Sequence, residues 1–238
     1  MKVRILDMKD SPRAAHFAYF QAMANPYVGV TQEVEITALM EARRKAGLPF
    51  FLSFLYCVGR AANSVAELHR RIVDGNVVEF ETCDTSHTVM RADGTYSYCR
   101  LSCMEPFERF LPEAILRHEQ AKTHACLEDG EDASSLLFIS SLPWLRYTAL
   151  QQPTPVPADS NPRITWGKYG MEGGRTSLPV TLLAHHALVD GVHIAAFYDA
   201  LEAEMNRFCL LYTSARWGLE PFCRERLICF SACSVQGE

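Results

Sequence analysis

The stretch Leu178–Leu201, LPVTLLAHHALVDGVHIAAFYDAL, contains two structural periods and the change between them. Leu178 to Ala184 is an apolar run of strand length, and from Val192 to Phe208 apolar residues recur at helical spacing. The chain therefore leaves a buried strand at His185-His186 and enters an amphipathic helix after Asp190-Gly191. A histidine at a strand end can project into a cleft, and its ordinary pKa of about 6.5 lets the neutral ring accept a proton near physiological pH. Asp190 stands at the helix mouth, where a carboxylate can cap N–H groups or pair with an arginine. Gly191 permits a backbone angle or a close approach that a side chain would block. Taken alone, the same pattern also describes a hydrogen-bonded strand end followed by an ordinary Asp-Gly turn, so its surroundings must decide.

The chain has 238 residues, 48% hydrophobic and 21% charged, with a net charge of −5. It can bury a full core, and the absence of long runs of one sign gives no reason to expect a nucleic-acid or anionic-membrane partner. The opening MKVRILDMKD lacks the apolar core and cleavage site of a secretory signal, so a cytoplasmic protein is expected. The apolar, uncharged stretch between Lys45 and Arg60 is too short to span a bilayer and suits a buried helix. Nine cysteines are expected to be reduced thiols. Cys99/Cys103 and Cys229/Cys233 are spaced C-x3-C, without a second matched pair or a histidine at zinc-site spacing, and no metal is expected.

Working outward, Ser11-Pro12 reads as a cap and first helical position for RAAHFAYFQAM. Val28, Val30, Val34 and Ile36 alternate as in a half-buried strand, and Thr37 is placed to cap ALMEARRKA before a stop at Gly47. PFFLSFLYCVGRAANSVAEL reads as a core helix. Hairpins are expected around Asp74-Gly75-Asn76 and Asp93-Gly94. Glu105 to Ala125 returns to a helical period that Pro112 should kink or split. SLLFIS is a short strand leading to SLPWL, and QQPTPVPADSNP is a connection. RITWGKY is another strand, and a Gly173-Gly174 turn precedes the final strand and helix. Interleaved helices and hairpins predict an α/β fold, a mixed α+β layered sandwich. Residues 1–208 form one domain in this reading. Residues 209–238, with four of the nine cysteines, are an appendage of undetermined structure.

Five ordered blocks, RAAHFAYF, FFLSFLYCVGRAANSVAEL, SSLPWL, ITWGKY and LPVTLLAHHALVDGVH, resemble chloramphenicol acetyltransferase of the trimeric type over about residues 10 to 206. The resemblance implies a CoA-dependent acyltransferase fold, with acetyl-CoA as cosubstrate and a direct transfer in a ternary complex. The second histidine of the pair, His186, is then the general base that takes the proton of the acceptor hydroxyl. Ser140 matches the donor to the thioester oxyanion and Thr165 a threonine holding a water beside the intermediate. Asp190 takes a supporting part, an ion pair with Arg13. Lys168 and Tyr169 match contacts to the nucleotide end of coenzyme A, and Trp144 lines the pantetheine approach.

Tyr19, Phe20, Tyr96 and Leu150 fall on or near the family's antibiotic pocket. Phe20 stands where the family has a tyrosine, Ala24 and Gln152 replace bulkier apolar residues, and the loop before Tyr96 is one residue short. The acceptor is chloramphenicol or another hydroxyl compound. A homotrimer with sites between subunits is implied as well. Two other classes stay open: a dihydrolipoyl acyltransferase core, against which the lack of a lipoyl domain and swinging linker argues, and a non-catalytic CoA-binding or assembly module.

Overall fold

The computed structural model describes residues 2–214 apart from 10, 125, 128 and 131. Its main sheet has seven strands. β2 (Tyr27–Glu35), β10 (Arg175–His185), β8 (Arg163–Gly167), β7 (Leu137–Leu142), β5 (Thr85–Met90) and β6 (Tyr96–Leu101) follow in that spatial order, and β9 (Gly170–Glu172) pairs with the start of β10. The parallel pairs are β5 with β7 and β7 with β8, and the others are antiparallel. A second sheet of three strands runs β1 (Val3–Leu6), β4 (Asn76–Phe80), β3 (Arg70–Val73).

Among the described residues five α-helices accompany the sheets: α1 (Ala14–Gln21), α2 (Thr37–Ala46), α3 (Phe50–Ala62), α4 (Phe107–Thr123) and α5 (Gly191–Ser214). The apolar run expected to be a core helix is α3, which carries the fully buried Leu52, Phe54 and Leu55. It packs on α5, whose Phe197 and Phe208 are equally buried. Each large apolar side chain removed from water in this layer contributes roughly 1.5–3 kcal/mol. Alternate residues of β10, Leu178, Val180, Leu182 and Ala184, are 0% exposed, and the Tyr198 hydroxyl on α5 reaches the Val30 and Val180 carbonyls at 2.9 and 2.8 Å. The period-2 pattern of the strand thus seals one sheet face with helices and leaves Thr181 on the other.

Both expected hairpins form. Asp74 and Gly75 have φ of 49° and 76°, the left-handed pair that a two-residue turn needs, and Gly94 has φ of 81°. Four local expectations are corrected. α1 begins at Ala14, one turn after Ser11, whose hydroxyl and carbonyl accept the N–H groups of Arg13 and Ala14. Thr37 opens α2 without capping it, because its hydroxyl accepts the Thr176 N–H at 2.9 Å and ties the helix to β10. Pro112 does not split α4, which runs through it, for it lies in the second turn on the exposed face, where water can reach the Glu108 carbonyl it leaves unbonded. Helix α5 continues six residues beyond Phe208, to Ser214. β1 was not anticipated; its four residues have no periodic signal and acquire meaning only by pairing with β4. The rest of the cysteine-rich tail, 215–238, lies outside the described residues.

Candidate active site

The two strand-end histidines point opposite ways. His185 is 4% exposed, its Nδ1 accepts the Ala187 N–H at 3.3 Å, and burial pushes its pKa down to about 4. It is a neutral core histidine. The His186 side chain is 29% exposed, and its Nδ1 lies 3.0 Å from the Val189 carbonyl oxygen. A carbonyl can only accept, so Nδ1 carries the hydrogen, and in the neutral ring Nε2 is the nitrogen left to accept a proton. Phe20 of α1 stacks on the ring, centroids 3.8 Å apart and planes 19° apart, with Tyr19 edge-on to Phe20. A tyrosine hydroxyl is not needed for that packing.

Asp190 is turned away from its own helix. The Arg13 guanidinium grips both its carboxylate oxygens, Oδ1 at 3.1 Å, and reaches the carbonyls of His186 and Ala187 at 3.4 and 3.5 Å. The hydrogen bond from Arg13 holds the Asp190 carboxyl below the usual carboxylate range. Asp190 Oδ1 also lies 3.3 Å from His186 Nδ1. Arg13, Phe20, His186 and Asp190 are thus one contiguous group, tying α1 to the strand end.

A second group lies elsewhere on the sheet. Ser140 pairs in register with Thr165, Thr165 with Thr181 and Thr181 with Thr31, giving a row of hydroxyl side chains across β7, β8, β10 and β2. Thr31 and Thr181 hydroxyls are 2.7 Å apart, and Tyr147 donates to the Thr165 carbonyl at 2.8 Å. Gln152 donates through Nε2 to the Thr165 hydroxyl at 3.1 Å, while its Oε1 is buried without a partner. Gln152, which the resemblance gave as a replacement of a bulkier apolar residue, therefore sits on a candidate site residue. Leu150 is half-buried on the same connection, whose far end is pinned by Asp159, bound in bidentate fashion to Arg163 at 2.7 and 2.9 Å. Neither Gln152 nor Tyr147 was singled out as a site residue from the sequence, because the connection has no periodicity to read.

Trp144, Lys168 and Tyr169 form a third, exposed group. The Lys168 N–H donates to the Leu145 carbonyl at 2.7 Å, and Tyr169 meets Phe50 edge-on at 5.5 Å. Gly167 makes this possible: a Cβ there would lie 2.6 Å from the Leu145 carbonyl oxygen and 3.0 Å from the Tyr147 ring. Lacking a side chain, Gly167 lets the segment carrying Trp144 lie directly on β8.

Within one chain the groups stay apart. Thr165 is opposite Thr181, and the five residues from Thr181 to His186 span ~16 Å at about 3.3 Å each. Tyr96 is 52% exposed at the start of β6, four strands from β10, or ~19 Å at about 4.8 Å per strand. Among the described residues no three His, Cys, Asp or Glu side chains are grouped to hold a metal ion, and no helix is long and apolar enough to cross a membrane.

A mixed sheet of this order with helices packed on it is the fold of a class of acyltransferases. A solved chloramphenicol acetyltransferase superposes with a TM-score of 0.78 at 28% identity, covering 86% of this chain and all of that one. The dihydrolipoamide acetyltransferase of Azotobacter vinelandii shares the fold at a TM-score of 0.59 and 18% identity, covering 83% of this chain and 89% of that one. The chain is 28% identical over 204 residues to chloramphenicol acetyltransferase 3 of Escherichia coli, covering 84% of this chain and 95% of the relative. It is 26% identical over 207 residues to a chloramphenicol acetyltransferase of Clostridium perfringens, covering 84% and 93%. The family model for chloramphenicol acetyltransferase matches residues 1–202, and the chain belongs to that family. It is an acyltransferase.

Proposed function

We propose that this acyltransferase moves an acetyl group from acetyl-CoA to a hydroxyl of a small acceptor, with chloramphenicol as the named acceptor, in one direct transfer. The observation that carries the reading is the bare Nε2 of His186, its other nitrogen committed to the Val189 carbonyl. That nitrogen takes the acceptor's hydroxyl proton as the oxygen attacks the thioester carbonyl carbon. Ser140 donates to the oxyanion, and Thr165 holds a water beside it. Collapse breaks the carbon–sulfur bond, and the imidazolium returns its proton to the departing thiolate, leaving His186 neutral. Lys168 offers charge to phosphate, Tyr169 a ring face to the nucleotide and Trp144 a wall to the pantetheine arm.

The ~16 Å from Thr181, beside Thr165, to His186 supports a homotrimer in which His186 of one copy works against Ser140 and Thr165 of the next. With both substrates held between two copies, the acetyl group is kept from water. The free, buried thiols of Cys57, Cys83, Cys99 and Cys103 are in keeping with a cytoplasmic site of action.

A second acceptor, another hydroxyl compound, is favoured by Gln152, whose unpaired Oε1 is an acceptor that an apolar residue would not offer. Free-thiol release from acetyl-CoA, followed with chloramphenicol and with a panel of hydroxyl compounds, tests both. Release with the drug establishes the first reading, release with another alcohol alone moves the acceptor, and no release with any alcohol at intact CoA binding overturns the catalytic reading.

A further inference from the structure

We propose that His193 is a positioning residue for the base, acting on His186 through the Val189–Asp190 peptide group. The inference rests on the acyl-transfer reading for its kinetic readout.

Helix α5 opens at Gly191, so Asp190 is its N-cap and His193 its third residue. An N-cap aspartate ordinarily bonds the N–H groups of the first turn, but this carboxylate is committed to Arg13. The reciprocal half of a capping box is kept instead, because the Asp190 N–H donates to His193 Nδ1 at 2.9 Å. Histidine here does what glutamate or glutamine does in the usual motif. The Asp190 carbonyl accepts from His193 N–H at 3.0 Å and Ile194 N–H at 3.1 Å, so the first turn closes normally.

The same peptide group faces the base. Its carbonyl, that of Val189, accepts from His186 Nδ1 at 3.0 Å. One peptide plane is therefore held between two imidazoles, His186 Nδ1–H to C=O on one side and N–H to His193 Nδ1 on the other. The two rings must be opposite tautomers: hydrogen on Nδ1 in His186, hydrogen on Nε2 in His193. His193 Nε2 faces Glu67 Oε1 at 3.8 Å, and Glu67 is held by Arg70 at 3.0 Å. The acceptor at His193 fixes the tilt of the peptide and polarises its carbonyl, which orients His186 and supports its imidazolium while the proton is on Nε2. Without that acceptor, the carbonyl that selects the productive tautomer is free to rotate away.

Two measurements test this on the full-length protein. The first needs no turnover: ring ¹⁵N chemical shifts, assigned by comparison with His186→Gln and His193→Gln, should place the hydrogen on Nδ1 of His186 and on Nε2 of His193. A hydrogen on His193 Nδ1 overturns the inference whether or not the protein transfers acetyl groups. The second compares His193→Gln, which supplies an ordinary capping-box acceptor, with His193→Leu, which supplies none. The leucine variant should lose about 10- to 100-fold in kcat at unchanged KM for acetyl-CoA, and the glutamine variant should recover most of that loss. Equal losses in the two variants, or full kcat with leucine, overturn it. Absence of turnover in the unmodified protein, with the ring shifts as expected, counts against the acyl-transfer reading alone.

Discussion

A histidine works as a base at neutral pH when one ring nitrogen is committed as a donor and the other is open, and His186 meets that condition through the Val189 carbonyl. Replacing it by alanine should lower kcat by about 10²- to 10⁴-fold, with acetyl-CoA binding by calorimetry retained. Asp190 yields a prediction in pH. Its folded pKa is depressed by Arg13, so the stability it contributes is present above the unfolded value and is lost as pH falls through the folded one. Arg13→Leu should therefore lower the thermal midpoint at pH 7 and flatten its decline on acidification below about pH 4. An acid limb unchanged in the variant would contradict this. The pairing of these two residues was expected from the resemblance to the family, because an isolated arginine at position 13 reads as a solvated helix charge. Gln152 was noticed in the sequence only as a departure, since its bond to Thr165 depends on how a connection without periodicity lies on β8.

Elements were legible where a period or a turn type specified them. The alternation in β2, the apolar run of α3 and the two Asp-Gly hairpins all needed only local chemistry. What the sequence withheld depended on partners distant in the chain: β1 on β4, and Thr37 on Thr176. Gly167 shows how such a contact reaches the site. Alanine there would collide with the Leu145 carbonyl, so Gly167→Ala should displace the Trp144 segment and raise KM for acetyl-CoA more than it lowers kcat. An unchanged KM would separate that segment from cosubstrate binding. Helix α4 is held on the sheet in part by a pair of histidines, half-buried His118 Nδ1 on buried His87 Nε2 at 3.1 Å. Burial lowers the pKa of His87 to about 3 and of His118 to about 4. Unfolded histidines bind protons below about pH 6.5 that the native pair refuses, so stability should fall as pH drops from neutrality toward 4. Chemical denaturation of the native chain and of His118→Phe across that range measures it, with a shallower slope expected for the variant.

At the scale of the whole molecule, the sheet separates the two groups that the proposed chemistry requires together. The His186 group ends β10, while the Ser140–Thr165 row crosses the middle of the sheet ~16 Å away, and no side-chain rotation closes such a gap. Two copies could close it, which is why the proposed catalytic unit is an interface with one half supplied at each end of the fold. The mixed layered architecture was readable from the order of elements, whereas sites shared between subunits were expected only from the family resemblance, because sequence spacing carries no information on which sheet face meets a second copy. The account's central claim is that one copy's His186 acts across an interface on reactants held by another copy's Ser140. Co-expressing His186→Ala with Ser140→Ala and measuring free-thiol release from acetyl-CoA tests it directly. Randomly mixed trimers should have about a quarter of their sites intact and recover a corresponding share of activity that neither variant shows alone. If the mixture releases no more thiol than the sum of the two variants, both groups belong to one chain's site, and the account is wrong.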